Sequence, residues 1–297
     1  MSILYGSVPG RVCLKGLLFL GLPKLMAAYL RSPLSKSMIK RYIAKYNIDM
    51  AEYEQIRYRS FAEFFTRRKL EAPFDEEPDR LISPCDSLLS VFPITGTSEL
   101  FIKNSHYRIS DLVGDRQLAR RFDGGTCLIF RLRAQDYHHY CFIDSGFVHE
   151  NRYFEGQLHS VQPIACDHFP VYRINRRCCT LMDTDHFGAV AQIEVGAMAV
   201  GEIINDYENC RVEKGSEMGR FELCGSTIVL LFEKGKIRLR EELDLSCSDA
   251  QEVKVSLGSH IGYATDVFFK ATHNGTQQLA VSRYSTAKNC ETSANFL

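Results

Sequence analysis

The chain has 297 residues, 45% hydrophobic and 24% charged, and a formal net charge of zero. That is an ordinary globular composition, long enough to bury a large core, and nothing in it points to a nucleic-acid partner. Its eleven cysteines follow no repeated spacing and include no Cys-x-x-Cys pair, which argues for reduced thiols on the cytosolic side and against a disulfide framework or a zinc site.

The charge is unevenly spread. Residues 1–48 hold Arg11, Lys15, Lys24, Arg31, Lys36, Lys40, Arg41 and Lys45 and no acid. Apolar residues run among them from Val12 to Leu30, interrupted by Lys15 and Lys24 and broken by Pro23. The uninterrupted apolar stretch falls far short of the roughly 20 residues a membrane span needs. The pattern predicts two amphipathic helices, over 11–30 and 34–46, of the cationic kind that lies on an anionic membrane surface. A helix packed on the protein's own core, a signal peptide or a transit peptide would share parts of this pattern.

Residues 51–70 read as helical, in two pieces. Tyr58, Phe61 and Phe65 recur at helical spacing, and Ser60 with Glu63 forms a capping box that starts the second piece. Arg67, Arg68 and Lys69 stand where a helix C-terminus favours cations. From Leu81 onward strand-like runs dominate: 88–92, 126–132, 140–143, 188–195, 197–204, 227–232 and 251–255, with a helix over 109–118. The fold class is α+β, with N-terminal amphipathic helices followed by a β-rich sandwich or barrel-like core. Three parts follow: a basic extension over 1–48, a main domain over 49–265 and a polar, poorly ordered tail over 266–297.

Five segments carry candidate chemistry. Ser83-Pro84-Cys85-Asp86-Ser87 is a turn that sets one carboxylate beside the β-rich region, although capping a turn is the commoner use of a lone Asp. Arg133-Ala134-Gln135-Asp136-Tyr137-His138-His139-Tyr140-Cys141 follows a strong strand, and in extended chain His138 and His139 face opposite ways. Leu158-His159-Ser160-Val161-Gln162-Pro163 reads as a strand-to-loop passage stopped by Pro163. Val195-Gly196-Ala197 through Gly201 offers two glycines for close backbone approach. Last, Gly225-Ser226-Thr227 opens a buried strand. There a Ser226 hydroxyl can reach its own preceding carbonyl only if the backbone bends, which Gly225 permits.

Together and in this order, with the aromatic Phe61 to Arg67 segment ahead of them, these motifs resemble the phosphatidylserine decarboxylases, a pyruvoyl-dependent family. The resemblance runs over roughly residues 55–265 and looks closest to the shorter bacterial form. It implies a proenzyme in which Ser226 attacks the Gly225 carbonyl. The ester then eliminates, leaving a β chain ending at Gly225 and an α chain that begins with a pyruvoyl group made from Ser226. The pyruvoyl ketone would form a Schiff base with the amine of phosphatidylserine and act as electron sink for loss of CO₂, giving phosphatidylethanolamine.

By the same resemblance Asp86 is the charge-relay acid, and His138 is the general base and proton donor. Cys141 stands where many members carry a second His, often assigned as the base, and His139 where Arg is common. Either His138 takes the base role or Cys141 marks a subtype arranged differently. The implied partners are phosphatidylserine, an anionic membrane surface and the chain's own two fragments, with peripheral attachment at the cytoplasmic face of the cell membrane. Two other functions fit parts of the pattern: a pyruvoyl decarboxylase of a soluble amino acid, and a non-catalytic lipid-binding protein on the same scaffold.

Overall fold

The computed structural model describes residues 5–102, 105–197, 202–223, 226–244 and 252–265. The tail over 266–297, and Gly225 itself, lie outside the described residues.

Three helices come first: α1 (Val8–Phe19), α2 (Leu22–Arg31) and α3 (Ser37–Tyr46). The expected 11–30 helix is thus two helices. Gly21 sits between them at φ 71°, a left-handed conformation that glycine adopts without strain. Pro23 lies in the first turn of α2, where its missing N–H costs nothing, so it helps start a helix here. Of the two pieces expected over 51–70, a 3₁₀ turn (Met50–Glu52) and the short helix α4 (Phe61–Phe65) form. Between them the chain is extended, and Tyr53 bridges to Lys69 across the loop. The capping box is present: Ser60 Oγ accepts from Glu63 N at 3.2 Å, and the Glu63 carboxylate accepts from Arg59 N.

The strands are β1 (Arg80–Ile82), β2 (Ser87–Pro93), β3 (Glu99–Ile102), β4 (Ser105–Arg108), β5 (Thr126–Leu132), β6 (His139–Cys141), β7 (Gly146–Phe154) and β8 (Arg177–Thr184). They continue as β9 (Gly188–Val195), β10 (Glu202–Asn205), β11 (Cys210–Val212), β12 (Glu217–Glu222), β13 (Ser226–Phe232), β14 (Ile237–Leu239), β15 (Val253–Val255) and β16 (His260–Ala264). Eight of them make one antiparallel sheet in the order β11-β7-β8-β9-β13-β5-β2-β15. A three-stranded sheet, β10-β12-β6, lies across one face, and the main cluster of buried apolar side chains joins the two.

A second cluster fills the opposite face. Short helices contribute to it: α5 (Ile109–Val113), α6 (Arg116–Arg120), α7 (Pro163–Cys166) and α8 (Val171–Ile174). A single helix was expected over 109–118. Two form because Gly114 takes φ 72° between them. Pro163 opens α7 and does not end a strand.

Strand β13 is buried along its whole length, between β9 and β5. Both of its faces pack, so it reads in sequence as a continuous apolar run. A third cluster joins Leu30 of α2 and Ile39 of α3 to Tyr58, Phe61, Phe64, Phe65 and Leu223. Helices α2 and α3 are therefore seated on α4 and on the chain just upstream of β13.

Candidate active site

The motif segments meet at one end of the large sheet. Ser226 is the first residue of β13 and pairs with Leu132, the last residue of β5; Thr227 pairs with Val195, the last residue of β9. Leu88 pairs with Arg131, which sets Asp86 just ahead of β2 at the same end. Adjacent strands lie about 4.8 Å apart, so the strand of Asp86 is about 10 Å from that of Ser226.

Ser226 is buried, and strand alternation puts its side chain on the face of Ile228 and Leu230. That is the face covered by β6 and β12. Two residues ahead of the undescribed Cys224-Gly225 pair's end, Leu223 is buried and holds a φ of 54°. A branched side chain in this left-handed region costs about 1–3 kcal/mol. The backbone is thus bent at Leu223, three residues upstream of Ser226; Gly225, where the attack requires a bend, lies outside the described residues.

His138 has no solvent exposure and lies against the Phe65 ring, with centroids 4.2 Å apart. Its Nδ1 is 2.8 Å from the Asp136 carbonyl oxygen. A carbonyl only accepts, so Nδ1 carries the proton and Nε2 carries the lone pair. Nε2 is buried and bonds to none of the described residues. Burial is the main cause that pushes the imidazole down to about 3, with Arg67 and His139 adding to it against the Asp136 bond. The ring is therefore neutral at ordinary pH, a base with its accepting nitrogen available. The His138 carbonyl accepts from Phe221 N at 2.9 Å, which ties the residue to β12, the strand that leads toward Ser226.

The Asp136 carbonyl is itself held. Arg133 forks the Asp136 carboxylate with Nε at 3.0 Å and Nη2 at 2.8 Å, while Arg133 N donates to it at 2.8 Å. Asp86 sits elsewhere. Its carboxylate accepts from Lys69 Nζ at 2.9 Å and from Leu257 N at 2.7 Å, and no hydrogen bond joins it to His138. The expected acid–imidazole pair is absent from this arrangement, and the Asp136 carbonyl occupies the orienting position on the ring.

Cys141 is buried on β6, with its Sγ 3.9 Å from the Ser83 carbonyl oxygen. Burial pushes the thiol up to about 12, so it stays protonated and is no base. His139 turns the other way from His138, as alternation predicts. It stacks on Tyr137 and bonds the Glu217 carboxylate at 2.9 Å and the Thr66 carbonyl at 3.0 Å.

Several contributors escaped the sequence. Asn175 is fully buried and clamps two motif segments together. It accepts from His159 N at 3.0 Å and donates to the carbonyls of His159 and Gly196 at 2.8 Å each. No local pattern marks it. The i, i+3 spacing of Arg133 and Asp136 was the one available signal for the orienting bond. Residues 198–201, which complete the expected two-glycine segment, lie outside the described residues.

Residues 61–263 match the sequence profile described as phosphatidylserine decarboxylase. The chain is 41% identical over 272 residues to phosphatidylserine decarboxylase proenzyme 2 of Clostridium acetobutylicum, covering 90% of this chain and 92% of that one. It is 36% identical over 274 residues to a phosphatidylserine decarboxylase proenzyme of Ruminiclostridium cellulolyticum, covering 90% and 91%. A third proenzyme of that name, from Clostridium perfringens, is 37% identical over 247 residues, covering 81% and 84%. The chain belongs to the phosphatidylserine decarboxylase family.

Proposed function

We propose that this chain cuts itself between Gly225 and Ser226, and that the pyruvoyl group so formed decarboxylates phosphatidylserine to phosphatidylethanolamine. The decarboxylation follows from the family; the residue roles rest on geometry. The observation that carries them is His138: a buried neutral imidazole with a free Nε2, tied by its own carbonyl to the strand leading toward Ser226.

In the first step His138 Nε2 takes the Ser226 hydroxyl proton as Oγ attacks the Gly225 carbonyl carbon. The peptide C–N bond breaks, its nitrogen regains a proton, and an ester to Oγ replaces it. Loss of the residue 226 α-proton then breaks the Cβ–Oγ bond, releasing Gly225 as a carboxylate and leaving a dehydroalanine. Water displaces its nitrogen as ammonia. The strained Leu223 favours this sequence, since cutting the chain two residues downstream lets that backbone relax.

The site fits the group. Position 226 is buried, heads a rigid central strand and shares its face with the strands beside His138. A pyruvoyl group there supplies a ketone that condenses with the lipid amine and accepts the electron pair left by CO₂. The residues around it exclude water, and neutral His138 offers Nε2 as the proton acceptor. A proton on His138 Nε2 is readily surrendered, because burial disfavours the charged ring.

The two fragments stay together. Ile228 to Phe232 are five fully buried residues on a strand paired on both sides, at roughly 2 kcal/mol each before any backbone bond is counted. The working protein is thus a heterodimer of its own β and α chains.

Residues 8–46 serve as the docking element. The segment's own sequence holds no acid, although Arg31 pairs with Glu202 and Glu222 of the main domain, and Leu20, Leu25 and Leu34 turn outward. Among the described residues no helix is long and apolar enough to cross a membrane. Surface attachment at the cytoplasmic face accommodates both facts. The outward apolar side chains also favour a lipid over a soluble amino acid as substrate.

The test is the intact mass of the purified chain and of Ser226→Ala. Wild type resolves into two fragments, the smaller without an N-terminal amine, and the variant stays at 33.8 kDa. One uncut wild-type chain after prolonged incubation would defeat the proposal in favour of a non-catalytic scaffold.

A further inference from the structure

Arg67 is 1% exposed, yet it is not satisfied as a structural arginine would be. Its guanidinium lies over the rings of Tyr53, at 4.6 Å, and Phe64, at 5.0 Å. Nη1 reaches the Phe64 carbonyl at 3.5 Å. Nε and Nη2 make no hydrogen bond to any described residue, and no described carboxylate pairs with the group. Buried donors left in this state are costly, and those of a cation more so.

Arg177 shows what the finished case looks like. It too is buried and lies over a ring, that of Phe154. But its Nε, Nη1 and Nη2 all donate, to the carbonyls of Leu112, Arg173 and Asp111 at 3.0, 2.8 and 2.6 Å.

The two unused donors of Arg67 are not an arbitrary pair. Nε–H and Nη2–H point the same way and form the edge that grips a two-oxygen anion. Arg131 uses this edge on Glu252, at 2.7 and 2.5 Å, and Arg133 uses it on Asp136. Location adds the rest. Phe64, which carries the guanidinium, belongs to the cluster that includes Leu30 and Ile39 of the docking helices. Phe65, its neighbour in sequence, packs on His138. Arg67 therefore stands between the membrane-facing helices and the proposed base.

Resting on the function proposed above, we infer that Arg67 receives the phosphodiester of the substrate lipid on its Nε–Nη2 edge. Phosphatidylserine offers two anions, and the chemistry chooses between them. The carboxylate must lose its charge as CO₂ departs, so a cation fixed on it would stabilise the ground state and slow the reaction. The phosphodiester keeps its charge throughout, so a cation there contributes equal binding before and during reaction. In the lipid it also lies between the acyl chains and the reacting serine, as Arg67 lies between the docking helices and His138.

The test uses full-length protein with Arg67→Gln and Arg67→Lys. Each variant is checked by intact mass for self-cleavage, then assayed on phosphatidylserine in mixed micelles. Arg67→Gln should cut itself and show KM raised at least about tenfold with kcat within about threefold, the signature of lost uniform binding. Arg67→Lys, which keeps the charge without the fork, should fall between. Independently of turnover, calorimetry with glycerophosphoethanolamine, which has the phosphodiester but no carboxylate, should show the same loss when Arg67→Gln is added to the uncleavable Ser226→Ala chain.

Unchanged KM and unchanged calorimetric affinity would overturn the inference. So would a loss of affinity confined to L-serine, titrated into the same two chains, which would assign the fork to the carboxylate. A variant that melts like wild type but stays uncut would also overturn it, by placing Arg67 in chain cleavage. Should Arg67→Gln fail to fold, Arg67→Lys decides alone by the same criteria. Failure of the function itself looks different: wild type would stay whole or make no phosphatidylethanolamine.

Discussion

The N-terminal helices and the end of the large sheet break the same rule in opposite directions. In the helices and the turns that join them, Leu20 is 79% exposed, Leu34 76% and Leu25 69%. At the sheet, His138 and Glu194 have no exposure and Arg67 has 1%. Apolar groups facing water and ionisable groups shut away from it both cost free energy, so each marks a place where stability alone did not choose the residue. The pairing of the two teaches more than either alone. A lipid has to leave a bilayer and present its headgroup to a dry site. The aromatic cluster around Phe61, Phe64 and Phe65 touches the docking helices on one side and Leu223 and His138 on the other.

The largest expected effect tests the inward side. His138→Ala should slow self-cleavage by about a thousandfold, a usual loss for a positioned base. Asp86→Asn should slow it by about tenfold or less, because Asp86 holds Lys69 and the Leu257 amide, not the imidazole. Timed appearance of the two fragments measures both. Equal losses would mean that Asp86 swings onto His138 in the reacting state and that the resting arrangement misleads.

The outward side is tested next. Changing Leu20, Leu25 and Leu34 together to Asp should weaken co-sedimentation with phosphatidylserine-containing vesicles by about a hundredfold or more. Self-cleavage should proceed as before. Undiminished vesicle binding would remove the docking role, and impaired cleavage would show that the two regions are not separable.

The smallest effect sharpens the cost of the buried groups. Burial sets His138 at about 3 against an ordinary 6.5, so its contribution to stability is full above pH 6.5 and is lost as pH falls toward 3. Burial raises Glu194, held by Gln192 and Asn205, to about 7 from 4.5. Its contribution is full below pH 4.5 and is lost as pH rises through 7. Between pH 4.5 and 6.5 the two slopes oppose, each at about 1.4 kcal/mol per pH unit. Glu194→Gln removes one of them. The stability of that variant relative to wild type should rise by about 2–3 kcal/mol from pH 4.5 to 6.5, read from urea midpoints. Parallel curves would show that Glu194 titrates as an exposed acid.

Legibility followed locality. The strands over 88–92, 126–132, 188–195 and 227–232 were readable because apolar and β-branched residues dominate each, unbroken over Ile228–Phe232. By contrast β7, β8 and β12 were missed: Arg152, Asp183, Glu217 and Arg220 dilute their pattern, and pairing with other strands makes them strands. The two helical pieces expected across 51–70 shrank to a 3₁₀ turn at Met50–Glu52 and the helix Phe61–Phe65, with Tyr53 and Lys69 paired across the loop, a contact that periodicity does not register.

The residues alone determined the α+β class, the basic apolar N-terminus, the order of the motifs and Ser226 at the head of a buried strand. Each of these is a matter of composition, spacing or short-range propensity. Only the tertiary structure decided which nitrogen of His138 is free, that the Asp136 carbonyl and not Asp86 orients the ring, and that Arg67 keeps an unspent fork beside it. Those outcomes depend on which groups from remote segments come within 3 Å of one another. Burial then turns such contacts, or their absence, into protonation states and binding edges.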